Sequence, residues 1–88
     1  MARFYKLTVE PVETESGMRL LRITSPAFGE MLVFADSEHD VLTFGSKAIS
    51  DAIRGRKTAG VSIPDPLKQK DDDGFYVEVV GLGTRRRR

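Results

Sequence analysis

The stretch "DSEHDVLTFGSKAISDAI", residues 36–53, decides the fold because it holds the most regular helical pattern in the chain. Its apolar and small residues fall on one stripe of an α-helix. The stripe comprises Val41, Leu42, Gly45, Ala48, Ile49, Ala52 and Ile53. Asp36 or Ser37 is a candidate N-cap, followed by acidic residues that favour the helix dipole. The pattern predicts one helix over residues 38–54, with small residues that allow close approach to a sheet.

The segments before this helix show the period-two alternation of β-strands. Residues 3–12 form the first such segment, and residues 18–24 resume the pattern after the turn "ETESG", which predicts a hairpin. One side of the first segment carries Tyr5, Leu7 and Val9. A third short strand is predicted over residues 31–35, "MLVFA". Three such strands in order predict an antiparallel meander.

The segment "GVSIPDP", residues 60–66, follows the helix and is too apolar for a simple spacer. Gly55 and Gly60 are both candidate ends of the helix, and Pro64 excludes its continuation. Because a residue before proline avoids the helical region, Ile63 should be extended. We therefore expect Ile63 to fill the edge of the core while the prolines stiffen the connection.

The chain then continues with an exposed polar turn, "LKQKDDDG", and a last strand, "FYVEVVGL". The core face of that strand carries Phe75, Val77 and Val79. The order β-β-β-α-β predicts an α+β fold in which one helix packs on an antiparallel meander and the last strand joins beside the first. The outer edges stay unpaired, and such edges invite another chain, so a homo-oligomer or strand addition to a partner is expected.

Length and composition restrict the class of protein. The 88 residues predict one domain, residues 1–82, followed by a basic tail, residues 83–88, that we expect to be disordered. The sequence has no cysteine, which excludes disulfides and thiolate metal sites. No apolar run is long enough to cross a bilayer and no signal-peptide pattern begins the chain, so a cytoplasmic protein without a membrane partner is predicted.

The net charge of +1 hides an asymmetry between body and tail. Without the four terminal arginines, ten basic residues stand against thirteen acidic ones, a net charge of −3. The tail consists of Arg85, Arg86, Arg87 and Arg88. Four adjacent arginines can contact phosphates, but they carry no geometry for reading bases. Two interpretations remain open for the tail: a nucleic-acid contact, or a terminus without a specific role.

The sequence predicts no catalytic residues, no metal site and no cofactor, and hence a protein that is not an enzyme. His39 lies among acidic residues, but it fits a solvated helix start better than a metal or acid–base site. Asp71, Asp72 and Asp73 project from consecutive positions of a turn, whereas a magnesium site needs oxygens that converge. A solvated loop is the favoured interpretation there.

A candidate protein-contact loop is "SPAFGE", residues 25–30. Its candidate partner-binding residues are Pro26, Phe28 and Gly29, with the Phe28 side chain exposed or half-buried. The alternative is a turn that packs its own phenylalanine into the core.

Taken together, these motifs resemble the HicB-type antitoxins and related HicB-like proteins. The resemblance rests on the turn "ESG", the interruption "SPAFGE", the helix "DVLTFGSKAISDAI" and the segment "GVSIPDP", and it covers residues 3–80. Phe28 stands where the family usually has a second proline, and the helix is less rich in alanine at its start. The resemblance implies a partial RNase H-like fold without catalytic carboxylates.

The same resemblance implies a function as an antitoxin or orphan relative that binds and occludes a protein partner such as a HicA-type RNase toxin. Many family members add a C-terminal DNA-binding domain, for which we expect no room after Val80. A protein from another class remains the alternative: a small nucleic-acid-binding or regulatory accessory protein, for example one encoded by a phage, that uses the arginine tail.

Overall fold

Five β-strands and one α-helix make up the part of the chain that the computed structural model describes, residues 2–79. The strands are β1 (Arg3–Lys6), β2 (Thr8–Glu13), β3 (Arg19–Ser25), β4 (Phe28–Ala35) and β5 (Tyr76–Val79). A short 3₁₀ turn, Glu38–Asp40, leads into the helix α1, Val41–Ala59. Strands β2, β3 and β4 form one antiparallel sheet in that order, and β1 pairs antiparallel with β5. The predicted α+β class and the pairing of the first strand with the last are confirmed.

The predicted first strand is divided in two at Leu7. Before Leu7 the chain pairs with β5, and after it the chain pairs with β3. The backbone N–H of Leu7 donates to the carbonyl of Phe75 at 2.9 Å, and its side chain is buried. The change of partner therefore divides one period-two segment into β1 and β2 without exposing its core face.

The hairpin between β2 and β3 forms as predicted. The N–H of Gly17 donates to the carbonyl of Thr14 at 2.9 Å, and Gly17 has φ 86°, a left-handed conformation that glycine adopts without strain. The next connection is tighter than predicted, because only Pro26 and Ala27 separate β3 from β4. As a result, β4 begins at Phe28 rather than at Met31.

The helix is longer than predicted and starts differently. It ends at Gly60, which has φ 73°, so Gly60 is the stop and Gly55 lies inside the helix. The predicted side-chain cap is absent: Ser37 precedes the 3₁₀ turn without a side-chain hydrogen bond. Leu42 was predicted on the buried stripe but is 47% exposed, because the buried arc at the start of α1 is narrow and covers Val41 and Gly45.

The connection after α1 is held against the sheet, as the proline-rich segment predicts. Ile63 packs against the core. The Tyr5 hydroxyl donates to the carbonyl of Pro64 at 2.6 Å, and burial, with the nearby carboxylate of Asp65, raises the pKa of this phenol. Leu67 then exchanges backbone hydrogen bonds with Phe4, at 2.9 and 2.7 Å.

The core lies between α1 and the sheet. Its most buried side chains belong to Tyr5, Ile23, Phe28, Val41 and Ile49. No helix among residues 2–79 is long and apolar enough to span a bilayer.

Candidate protein-interaction surface

The face of the three-stranded sheet turned away from α1 exposes apolar side chains. Met31 and Val33 of β4 face the core, so the alternating residues Leu32 and Phe34 face the opposite side. Leu32 is 55% exposed and Phe34 is 45% exposed. We call this surface the open face. It consists of Thr8, Glu10, Val12, Leu20, Arg22, Thr24, Leu32 and Phe34.

The charges of the open face neutralise each other. Arg22 lies directly opposite Phe34 on one side and Glu10 on the other, and its guanidinium donates to the Glu10 carboxylate. This exposed pair contributes little to stability. It leaves the centre of the open face without net charge, next to the apolar side chains of β4. Such a surface suits contact with another protein better than contact with phosphates.

A groove runs between the outer edge of β4 and α1. We call it the edge groove; it is lined by residues 30–34 of β4 and by Phe44, Lys47, Ala48, Asp51 and Ala52 of α1, so it shares Leu32 and Phe34 with the open face. It has a volume of about 560 Å³, enough for several side chains of another polypeptide. Phe44 is 40% exposed at its rim. The helical pattern alone did not reveal this site, because Phe44 lies beside the predicted core stripe.

Phe28 is not available for contact with a partner. Its side chain is completely buried, with its ring edge-on to the Tyr5 ring at a centroid distance of 4.9 Å. Of the two interpretations of residues 25–30, the burial of Phe28 excludes an exposed or half-buried side chain and confirms the favoured one, a turn that packs its own phenylalanine. The tight turn at Pro26 places Phe28 at the first position of β4, where it faces the core. Pro26 and Gly29 are exposed, and their role in partner binding stays a prediction.

Arg56, which no motif in the sequence marks, covers the Phe28 ring. Its guanidinium lies 5.1 Å from the ring centroid. The same group donates two hydrogen bonds to the Glu30 carboxylate, at 2.9 and 2.8 Å, and one to the Ser62 carbonyl at 3.0 Å. These bonds from Arg56 lower the pKa of Glu30 to about 2. No periodic pattern in the sequence marks such a residue, because its partners are distant along the chain.

The turn of residues 71–74, which we call the aspartate turn, is ordered by hydrogen bonds around Asp72. Its carboxylate accepts from the Lys6 ammonium at 2.7 Å, from the Gly74 N–H at 2.8 Å and from the Tyr76 hydroxyl at 3.0 Å. These bonds, chiefly the one from Lys6, lower the pKa of Asp72 to about 2. The carboxylate is thus engaged in holding the turn to β1 and β5.

The two groups of residues considered as metal ligands, His39 with its acidic neighbours and the aspartates at residues 71–73, do not form a metal site. His39 is exposed in the 3₁₀ turn, and Asp71 and Asp73 are exposed at the aspartate turn. Among residues 2–79, no group of three histidine, cysteine, aspartate or glutamate side chains could hold a metal ion. The predicted tail residues Arg85, Arg86, Arg87 and Arg88 lie outside the described residues, so nucleic-acid binding by the tail stays a prediction.

No family model, no curated protein and no solved structure matches this chain. The resemblance to HicB-like proteins therefore stays a prediction from the sequence motifs.

Proposed function

We propose that this protein acts by binding and covering another protein, as a HicB-like antitoxin or an orphan relative of that family would. The class of partner that the sequence motifs favour is a small HicA-type RNase toxin. The observation that supports binding is the open face, where Leu32 and Phe34 present apolar side chains on a regular sheet. Exposed neighbouring apolar residues on a rigid element are typical of protein contact sites.

The geometry of the open face also supports occlusion rather than recognition of a short motif. Side chains from three adjacent strands contribute to it, so it is a broad surface. Strand pairing to β3 fixes the backbone beneath these side chains, which reduces the entropy lost on binding. A partner whose active surface lies against the open face would lose access to its substrate.

The test compares toxin neutralisation by the wild type and by Phe34→Ser, which removes apolar area without adding a charge. Each is used to capture proteins from its native host and is co-expressed with any HicA-type toxin that a neighbouring gene encodes. We expect the wild type to restore growth and to retain the toxin, and Phe34→Ser to weaken both. Val61→Ser, an exposed valine beyond the end of α1, is the control and should behave as the wild type.

Two results would contradict the proposal. One is a wild-type protein that neither retains nor neutralises the toxin. The other is a Phe34→Ser variant that neutralises it as well as the wild type does, since the open face would then play no part.

A further inference from the structure

The two outer edges of the three-stranded sheet are built differently. Among residues 2–79, both β2 and β4 pair with β3 only. β2 carries Pro11 between Glu10 and Glu13, and proline and charge are common means by which edge strands avoid pairing. β4 carries a single charged residue, Glu30, which is bound to Arg56. The β4 edge is therefore unprotected.

The sequence of β4 is that of an interior strand. Residues 31–35, "MLVFA", are apolar at every position, a pattern typical of strands that are buried on both faces. In the single chain only one face is covered, because Met31 and Ala35 are buried whereas Leu32 and Phe34 are exposed. Two large apolar side chains of β4 therefore remain exposed in the single chain, beside its unpaired outer edge.

The edge groove leaves space for an additional strand beside β4, covered on one side by α1. Phe44, Ala48 and Asp51 lie on the side of α1 that borders the outer edge of β4. A strand hydrogen-bonded to this edge would place alternate side chains beneath α1 and the others beside Leu32 and Phe34. The side chains of this added strand would therefore contact apolar residues that the single chain already exposes.

We propose that the occupant of the edge groove is β4 of a second copy, paired antiparallel about a two-fold axis normal to the sheet. Each copy then satisfies the unprotected edge of the other, and the contact closes on itself. Pairing β4 with β2 of a second copy would instead form an open chain of molecules through an edge that contains Pro11. The two open faces become one continuous surface, with the apolar residues of both β4 strands at its centre.

The charges of the edge groove are complementary to those of an inverted copy. Lys47 and Asp51 lie one helical turn apart and both border the groove. A two-fold axis normal to the sheet places the two α1 helices on the same face in opposite directions. Within one helix Lys47 and Asp51 already form an ion pair at 4.0 Å. If the axis passes between them, Lys47 of one copy would also face Asp51 of the other, so that opposite charges meet at both symmetric contacts.

The first experiment measures the molar mass of the full chain by sedimentation from low micromolar to millimolar concentration. We expect a dimer for the wild type. Phe44→Lys places a charge in the groove and should raise the dissociation constant about tenfold or more. Leu42→Lys is the matched control: it is also an exposed apolar residue of α1, but it lines a different cleft with Phe4 and Tyr76, and the dimer should persist.

The second experiment uses the absence of cysteine from the sequence, so that a single introduced cysteine reports proximity under mild oxidation. A two-fold axis normal to the sheet keeps each side chain on its own face. We therefore expect an intermolecular disulfide in Leu32→Cys, in Phe34→Cys or between these two variants when they are mixed. Glu10→Cys, on β2, is the control and should give none.

Three outcomes would overturn the inference. The first is a wild-type chain that stays monomeric at every concentration, whether the groove is then covered by residues 80–88 or by another protein. The second is a dimer that is weakened equally by Phe44→Lys and Leu42→Lys. The third is cross-linking through Glu10→Cys and not through β4. Failure of toxin neutralisation with an intact dimer would contradict only the proposed function.

Discussion

Arg56 shows how one side chain can join parts of the fold that are distant in sequence. It contacts the Phe28 ring and the Glu30 carboxylate of β4, and it binds the Ser62 carbonyl in the connection after α1. Two parallel hydrogen bonds to one carboxylate require the planar fork of a guanidinium. Arg56 therefore fixes the end of α1 to the start of β4 through shape as well as charge.

We expect Arg56→Lys to lower the thermal unfolding midpoint, because an ammonium keeps the charge but cannot form the paired bonds to Glu30. Arg54→Lys, the same change two residues earlier, is the control, since Arg54 is exposed and its bond among the described residues runs across one turn to Asp51. Circular dichroism melting curves measure both variants. Equal midpoints for the two would show that the contacts of Arg56 add nothing to stability.

The hydrogen-bonded carboxylates of Glu30 and Asp72 should make the stability of the fold sensitive to acid. Hydrogen bonds from Arg56 and Lys6 lower their pKa values to about 2, from ordinary values of 4.5 and 3.8. A lowered pKa in the folded state gives stability that is present above the ordinary pKa and is lost as the pH falls toward 2. Denaturant unfolding between about pH 6 and about pH 2 should show this loss. The double variant Glu30→Gln, Asp72→Asn should lose less stability over the same range. If its free energy of unfolding fell as steeply with pH as that of the wild type, the two carboxylates would not be the cause of the loss.

At the scale of elements, the position of α1 depends on its closest approach to the sheet. Gly45 is buried against Leu7, where the chain passes from β1 to β2. A Cβ atom at Gly45 would lie 2.6 Å from Cδ1 of Leu7, which is closer than van der Waals contact allows. Gly55 lies in the same helix, but no atom lies within 4 Å of the corresponding position.

Alanine at these two glycines should therefore have different effects on stability. We expect Gly55→Ala to stabilise the protein by up to about 1 kcal/mol, because alanine favours the helix. Gly45→Ala gains the same preference but must displace the buried Leu7 side chain, which costs about 1–3 kcal/mol, so its net effect is neutral to destabilising. Free energies of unfolding from denaturant titration measure the difference. A Gly45→Ala variant that is as stable as Gly55→Ala would show that Leu7 moves aside without cost.

At the scale of the whole molecule, the sheet is covered by α1 on one face and carries the open face on the other. Pairing through β4 would bury the edge groove and enlarge the open face at the same time. Dimerisation and partner binding would then use adjacent surfaces of the same strand that share Leu32 and Phe34. The division is physically reasonable because successive side chains of a strand point to opposite faces, while its backbone hydrogen bonds point sideways.

The thermal midpoint should rise with protein concentration if the protein dimerises, because association stabilises the folded state by mass action. Calorimetry of the wild type over a hundredfold range of concentration checks this. Phe44→Lys should lose most of the concentration dependence, and Leu42→Lys should retain it. A wild-type midpoint that does not change with concentration would argue against the dimer.

The sequence by itself determined the elements that depend on local pattern. The period-two segments and the helical stripe each act through backbone geometry over a few residues, and so the α+β class and the strand order followed from them. For the end of α1, the local pattern left Gly55 and Gly60 as alternatives, and the fold selects Gly60. The extended conformation expected for Ile63 likewise has a local cause, the proline that follows it. These features could be predicted because neighbouring residues impose them.

Only the tertiary structure decided which surfaces remain uncovered. Several features depend on where α1 lies across the sheet. They are the burial of Phe28, the exposure of Leu42, the hydrogen bonds from Arg56 to Glu30 and the edge groove. These relations join residues that are far apart in sequence, and no local pattern records them. The candidate site is made of such relations, because an apolar side chain becomes a contact residue only when the fold leaves it without a neighbour.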